Sequence, residues 1–278
     1  MRLDEGDCIA AMKITVLANR DLPACLALNY LWSHLKEHDV TVFLSSHVGK
    51  PQGRPAALEH LAFFEQTLCN ELLFPALDSA SSSADAGLMT FNQLASHCVK
   101  PMRLLSRINE GEGLALFSSS EPDLVISIRF GLILREPVLA IPPAGVLNLH
   151  SGLLPDYKGV MATFRAMLNG DTEIGTTLHF IDDAGIDTGC VVGMTRLPVD
   201  RSHSYFWHVL GLYEQGCELL GQTITRIASG EAIAGTAQAS TGNYYSFPDA
   251  HELRAFSEQG LQLWSPADVV AIGRRFLG

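Results

Sequence analysis

The segment 145–193, GVLNLHSGLLPDYKGVMATFRAMLNGDTEIGTTLHFIDDAGIDTGCVVG, concentrates the residue types that can do chemistry. An apolar run ends in Asn148-Leu149-His150, and in an extended chain alternation puts residues 148 and 150 on one face. Asp187-Thr188-Gly189 follows Gly185 in a turn-prone stretch, where a polar side chain projects readily into a crevice. An amide, an imidazole and a carboxylate together suit acyl transfer to nitrogen. The amide N–H donates to an oxygen that becomes negative in a tetrahedral intermediate. The histidine moves a proton or, as imidazolium, stabilises that oxygen. A neighbouring carboxylate favours the imidazolium and fixes its orientation. An amine that attacks directly needs no serine or cysteine nucleophile. Alone, Asn-x-His reads as a turn or a satisfied core histidine, and Asp-x-Gly as a turn; only their combination points to a site.

Such residues need elements to hold them. Residues 14–18 and 40–44 are short, apolar and partly β-branched, and read as strands. Residues 22–37 between them have helical spacing, so the first stretch reads as a βαβ unit and a parallel sheet. Residues 56–77 look helical until Pro75, which is expected to break the helix. Residues 78–87, small and polar, read as a mobile surface loop. One or two helices are expected between 88 and 116. Residues 123–128 and 146–150 read as strands, 160–169 as a helix, 176–181 and 190–199 as a strand or hairpin, and 203–228 as a long amphipathic helix. In an open α/β sheet a ligand crevice lies at the carboxyl ends of the strands, where Asn148 and His150 fall. The expected division is an N-terminal extension over 1–12, a catalytic domain over 13–228 and a small C-terminal subdomain or tail over 229–278.

The composition narrows the function. Of 278 residues, 47% are hydrophobic and 18% charged, which is material for a packed core rather than a disordered chain. Acidic residues outnumber basic ones 30 to 19, and the net charge of -11 disfavours a large polyanionic partner such as tRNA. Cys8, Cys25, Cys69, Cys98, Cys190 and Cys217 are scattered without zinc-ligand spacing, so free thiols in a reducing cytoplasm and no metal are expected. No secretory signal and no membrane-spanning run is evident.

The joint pattern resembles the folate-dependent formyltransferase superfamily, which includes methionyl-tRNA, glycinamide-ribonucleotide and sugar-amine formyltransferases. The residues that carry the resemblance are Asn148-Leu149-His150, Leu153-Leu154-Pro155, Gly159, Gly170-Asp171, Gly175, Thr177-x-His179 and Asp187-Thr188-Gly189. It implies a Rossmann-like, mostly parallel sheet flanked by helices, the formyltransferase fold, with a small C-terminal extension. It implies 10-formyltetrahydrofolate as co-substrate and Asn148, His150 and Asp187 as catalytic residues. Phe130, Gly131, Leu132, Ile133 and Leu134 match the stretch whose main chain cradles the pterin in that family. Asp182, Asp183, Ala184, Gly185 and Ile186 match the loop that packs against it. Two departures stand out. Gly152 holds the place where the family has serine, with Ser151 directly after the histidine. The loop before Asp187 is one residue longer, which leaves Asp182 and Asp183 as alternative carboxylates.

The resemblance does not name the acceptor. Residues 18–22 contain no glycine, unlike the phosphate loop of glycinamide-ribonucleotide enzymes. After the strand region the chain is short for the basic C-terminal barrel of methionyl-tRNA enzymes, and no stretch before Ile14 is long enough for the regulatory domain of formyltetrahydrofolate hydrolases. The expected activity is therefore N-formyl transfer to the amine or hydroxylamine of a small metabolite, an amino sugar or an ornithine-type acceptor. Arg20, Arg129, Ser151 and Lys158 are candidates to bind it. The tail aromatics Tyr244, Tyr245, Phe247 and Trp264 are placed to stack on a ring or to pack the tail. A hydrolase, a methionyl-tRNA formyltransferase-like enzyme and an inactive folate-binding module are the competing readings. No membrane association is expected, and a homodimer is left open.

Overall fold

In the computed structural model, which describes residues 10–46, 55–80 and 87–277, strands and helices alternate. The first half runs β1 (Lys13–Asn19), α1 (Leu22–Leu35), β2 (Asp39–Ser45), α2 (Ala56–Ala62), a π-helical stretch (Phe63–Leu73), α3 (Phe74–Ala80), α4 (Phe91–Ala95), β3 (Arg103–Leu104), α5 (Gly111–Ser118) and β4 (Leu124–Ile128). The second half runs α6 (Glu136–Leu139), β5 (Val146–His150), β6 (Tyr157–Gly159), α7 (Ala162–Asn169), β7 (Glu173–Phe180), β8 (Val191–Pro198), α8 (Tyr205–Ala228), β9 (Asn243–Tyr245), α9 (Ala250–Glu258) and α10 (Pro266–Arg275).

Seven strands form one sheet in the order β3-β2-β1-β4-β5-β7-β8, a mostly parallel sheet with helices on both faces. β3, β2, β1, β4 and β5 are parallel, whereas β7 pairs antiparallel with both β5 and β8. The order turns back between β1 and β4, and such a switch point opens a crevice beyond the carboxyl ends of the two strands. The alternation of strand side chains builds two cores. Ile14, Val16, Ile126, Leu147 and Leu149 pack on one face with α1 and α8, and Leu17, Phe43, Val125 and Val146 pack on the other with Phe117 and Val138. Asn148 and His150 share the face of Val146, at the strand's carboxyl end.

Local signals explain the two helices that carry the main core. Asp21 caps α1 by accepting from Ala24 N at 2.8 Å, and Pro23 sits in its first turn. Such a cap contributes about 1 kcal/mol. Ser204 caps α8, whose Val209, Tyr213, Leu220 and Ile224 are buried. α8 lies so close to α1 that a Cβ on Gly221 would come within 2.3 Å of the His34 ring.

Pro75 does not break the helix, contrary to expectation: the π-helical stretch hands over to α3 at Phe74, and Pro75 falls in the first turn of that new segment. The proline thus stands where the helical ladder changes from π to α register. Of the polar loop expected over 78–87, residues 81–86 lie outside the described residues, as do residues 1–9 of the expected N-terminal extension and, with them, Cys8. Past α8 the chain returns to the domain. Phe256 stacks on Phe164 at 4.5 Å, Phe276 meets Phe74 at 5.2 Å, and Trp264 meets Phe64 at 4.1 Å. Among the described residues no helix is long and apolar enough to cross a membrane.

Candidate active site

The carboxyl ends of β1, β4 and β5 open into a cavity of about 380 Å³, with Asn19, Ser127 and Asn148 in its lining. Asn148 faces His179 across the antiparallel β5–β7 pair, and His150 faces Thr177. His179 Nδ1 lies 2.7 Å from the Phe180 carbonyl, an acceptor, so that nitrogen carries the proton. Its Nε2 is then free to accept from Asn148 Nδ2 at 3.0 Å. One N–H of the amide is thereby committed, and the other is oriented by the same bond. His150 is fixed in a parallel way: Nε2 donates to the Tyr157 carbonyl at 2.8 Å, which leaves Nδ1 facing the cavity.

Asp187 joins the two histidines. Its Oδ2 lies 3.6 Å from His150 Nδ1 and its Oδ1 lies 3.5 Å from His179 Nε2. Oδ2 also accepts from Gly159 N at 2.7 Å. Burial by itself would raise the Asp187 carboxyl, but the neighbouring His150 and the Gly159 N–H outweigh it and hold the pKa down at about 2. The carboxylate is therefore a fixed negative charge beside two imidazoles. Its backbone is in the left-handed region at φ 54°, as are Arg129 at 58° and Met161 at 55°. Three of the four non-glycine residues with positive φ among the described residues thus line this cavity. Each costs on the order of 1–3 kcal/mol, and such strain collects at functional sites.

The loop before Asp187 uses the other carboxylates locally. Asp183 Oδ1 accepts from Gly185 N at 2.6 Å, and Asp182 Oδ2 from Cys190 N at 3.4 Å. Neither forms an ion pair with His150 or His179 among the described residues, although Asp183 lines the cavity with Gly185 and Ile186. Asp182 and Ala184 do not line it. Residues 130–134 line it as well. Ile133 and Ile186 are large apolar side chains left 49% and 38% exposed at this end, a surface suited to a flat ring.

The candidate acceptor residues separate. Ser151 and Arg129 line the cavity, but Arg20 is exposed outside it, and Lys158 donates to the Thr241 carbonyl at 3.2 Å away from it. Arg20 turns outward because its main chain is held at the end of β1, with its N–H on Ser45 O. Arg129 Nε donates to Asp21 Oδ2 at 2.9 Å and Nη2 to Glu65 Oε2 at 3.4 Å. Burial disfavours its charge, but Asp21 and Glu65 more than offset this and push its pKa above the ordinary range. Of the tail aromatics, Tyr244 and Phe247 line the cavity, whereas Tyr245 stacks on Tyr157 at 6.0 Å.

Sequence reasoning assigns no role to His179, although Thr177-x-His179 carries part of the resemblance. It also misses Glu65, Gln66 and Tyr205. The spacing of Leu58, Leu61, Ala62, Glu65 and Gln66 marks one helical face, yet nothing local shows that this face covers the cavity. Gly152 has a reason too: a Cβ there would lie 2.7 Å from His150 Nε2 and 2.4 Å from the Ala162 Cβ. Without a side chain at this position, the Tyr157 carbonyl can reach the imidazole.

Residues 82–205 match the family described as Formyl transferase. A methionyl-tRNA formyltransferase of Kosmotoga olearia is 32% identical over 124 residues, 45% of this chain and 40% of its own length. That of Paramagnetospirillum magneticum is 33% identical over 164 residues, 59% of this chain and 52% of its own. The chain spans about half the length of these relatives or less. Among solved structures, a 4-N formyltransferase from Francisella tularensis has a TM-score of 0.56 at 14% identity, over 89% of this chain and 87% of that one. Glycinamide ribonucleotide transformylase 1 from Symbiobacterium toebii has a TM-score of 0.53 at 18% identity, over 86% of this chain and 99% of that one. The segment 82–205 is thus similar to the Formyl transferase family, and the chain shares its fold with solved formyltransferases.

Proposed function

We propose that this chain transfers a formyl group from 10-formyltetrahydrofolate to the amine or hydroxylamine nitrogen of a small metabolite, an amino sugar or an ornithine-type acceptor. The observation that carries the proposal is the ionised Asp187 within 3.6 Å of His150 and 3.5 Å of His179, in the lining of one cavity that also holds Asn148. When bound, the folate supplies a formyl carbonyl on an aryl amine, which a neutral amine can attack. Residues 130–134 and the loop residues Asp183, Gly185 and Ile186 would hold its ring, since both segments line the cavity. Asn148 donates its second N–H to the oxygen that gains charge as nitrogen adds. His150, oriented by the Tyr157 carbonyl, presents Nδ1 to the same region and takes or returns a proton there. Asp187 keeps the imidazole ring in register, with Oδ2 3.6 Å from Nδ1.

A small acceptor is supported by the cavity's size and by a related structure. An N-formyltransferase from Helicobacter canadensis, solved with folinic acid and dTDP-3-aminofucose, has a TM-score of 0.50 at 20% identity, over 84% of this chain and 71% of that one. A tRNA acceptor is the second reading, since the relatives similar in sequence are methionyl-tRNA formyltransferases. The excess of acidic over basic residues, 30 to 19, weighs against it. Hydroxylamine is a suitable probe because it is a small nucleophile that is neutral near pH 7. With 10-formyltetrahydrofolate, the chain should form the formohydroxamate faster than it forms formate. Formate at the same rate with and without hydroxylamine would make it a hydrolase, and no folate turnover at all would overturn the proposal. Mass spectrometry of amino sugars, ornithine-type hydroxylamines and charged initiator tRNA then ranks the acceptors.

A further inference from the structure

The matched family segment ends at residue 205, yet the tail beyond it grips the loop that carries Asp187. Thr236 and Val191 exchange two main-chain hydrogen bonds, 2.8 and 2.7 Å. Two residues on, Gln238 Nε2 donates to the Asp187 carbonyl at 3.0 Å and to the Gly189 carbonyl at 2.8 Å. Both amide protons are therefore spent on carbonyls within one turn, which fixes which way the amide points. Its Oε1 is buried without a hydrogen-bond partner among the described residues. A buried carbonyl left unpaired is costly, so the two donated bonds are what hold this side chain in place.

The turn needs holding. Asp187 sits at φ 54°, a conformation that L residues rarely adopt. Its carboxylate reaches both histidines only if that peptide stays in this orientation. The far end of the tail acts on the same group through β6. Gly159 N donates to Asp187 Oδ2, and Gly159 pairs with Tyr245 of β9, while Val160 N donates to the Tyr245 carbonyl at 2.9 Å. One tail segment, 236–245, thus touches the backbone of Asp187 on one side and supports its carboxylate on the other.

We infer that Gln238 is a positioning residue, whose two N–H donors set the backbone of Asp187 so that its carboxylate meets His150 and His179. The inference rests on the formyltransferase reading of Asp187. A residue that acts through Asp187 has no effect once that carboxylate is gone, whereas a residue that merely stabilises the fold acts whether or not it is there.

The test is a double-mutant cycle in the full chain, with 10-formyltetrahydrofolate and hydroxylamine as the probe reaction. Gln238→Met keeps the length and removes both donors. It should lower kcat about tenfold or more while leaving folinic acid affinity within about twofold by calorimetry. In the Asp187→Asn background the same change should cost less than about twofold. Gln259→Ala is the control: Gln259 Nε2 also ties the tail to the domain, on the Leu168 carbonyl at 3.0 Å, but far from the site, and its loss should leave kcat unchanged. If Gln238→Met does not fold, Gln238→Asn, too short to reach both carbonyls, replaces it in the cycle. Equal losses in both backgrounds, or none in either, overturn the role of Gln238. Full activity of Asp187→Asn alone would instead overturn the reading of Asp187 itself.

Discussion

Asp187→Asn removes one charge and keeps the shape, and its effect can be worked from the distances. An imidazolium at His150 faces Asp187 at 3.6 Å. At the effective dielectric of a partly buried site, that pair is worth about 4 kcal/mol. If the transition state carries the positive charge on His150, its loss should lower kcat by up to about a thousandfold. Asparagine can still accept from Gly159 N, so the loop should stay in place. Its amide, though, would present N–H to His179 Nε2, the atom that accepts from Asn148 at 3.0 Å in the native site. The oxyanion donor would then lose its anchor, which adds to the effect. Folinic acid affinity should change less than about threefold, because the ring site lies on residues 130–134 and 183–186. The assay is formohydroxamate formation from 10-formyltetrahydrofolate and hydroxylamine across pH 6–9, with Asp183→Ala alongside. A loss below about tenfold for Asp187→Asn, with a collapse for Asp183→Ala, would refute the reasoning and move the carboxylate role into the loop. The same charge has a consequence for stability. The Asp187 pKa is held at about 2, below its ordinary 3.8, so its contribution is complete above pH of about 4 and fades as the pH falls towards 2. It amounts to about 2 kcal/mol. The asparagine variant should lack this part of the acid unfolding curve.

Asn148→Ala should lower kcat about a hundredfold by removing one oxyanion donor, with folinic acid still bound, and near-normal turnover would remove it from the mechanism. His150→Ala should do likewise, as the loss of a proton-transfer group, and near-normal turnover would remove it from the mechanism too. Gly152→Ala should lower stability by about 1–3 kcal/mol in a urea titration and cut turnover, since the new Cβ would meet Ala162 and push the His150 ring off the Tyr157 carbonyl; a neutral result would mean the loop can open without touching the histidine. Phe256→Ala should cost about 3–5 kcal/mol, as it empties the stack on Phe164, and a cost near zero would show that the tail packs independently of the domain.

Much of this protein is written in local pattern. Strand polarity follows from alternation, because successive side chains in an extended chain point to opposite faces; spacing alone therefore puts Asn148 and His150 on one face. Helices at 22–35 and 205–228 follow from the cap residues Asp21 and Ser204 and from the spacing of apolar residues after them. The weaker signals are also physical. Pro75 reads as a helix break because a proline costs a hydrogen bond, yet the chain stays helical through it, with the change from π to α register falling at Phe74. The short strands β3, β6 and β9, of two or three residues, have no period to read. Three acids, Asp182, Asp183 and Asp187, stand as alternatives in the sequence. Their side chains are separated only by where each loop hydrogen bond falls. The remaining parts of the site depend on contacts between distant positions: Arg129 with Asp21 and Glu65, His179 with Asn148, and Gln238 with Asp187. Chain geometry constrains neighbours a few residues apart, and meetings across 31 to 108 residues arise only when the sheet and the returning tail have packed. The sequence determined the chemistry available, and the tertiary structure decided which groups share a charge.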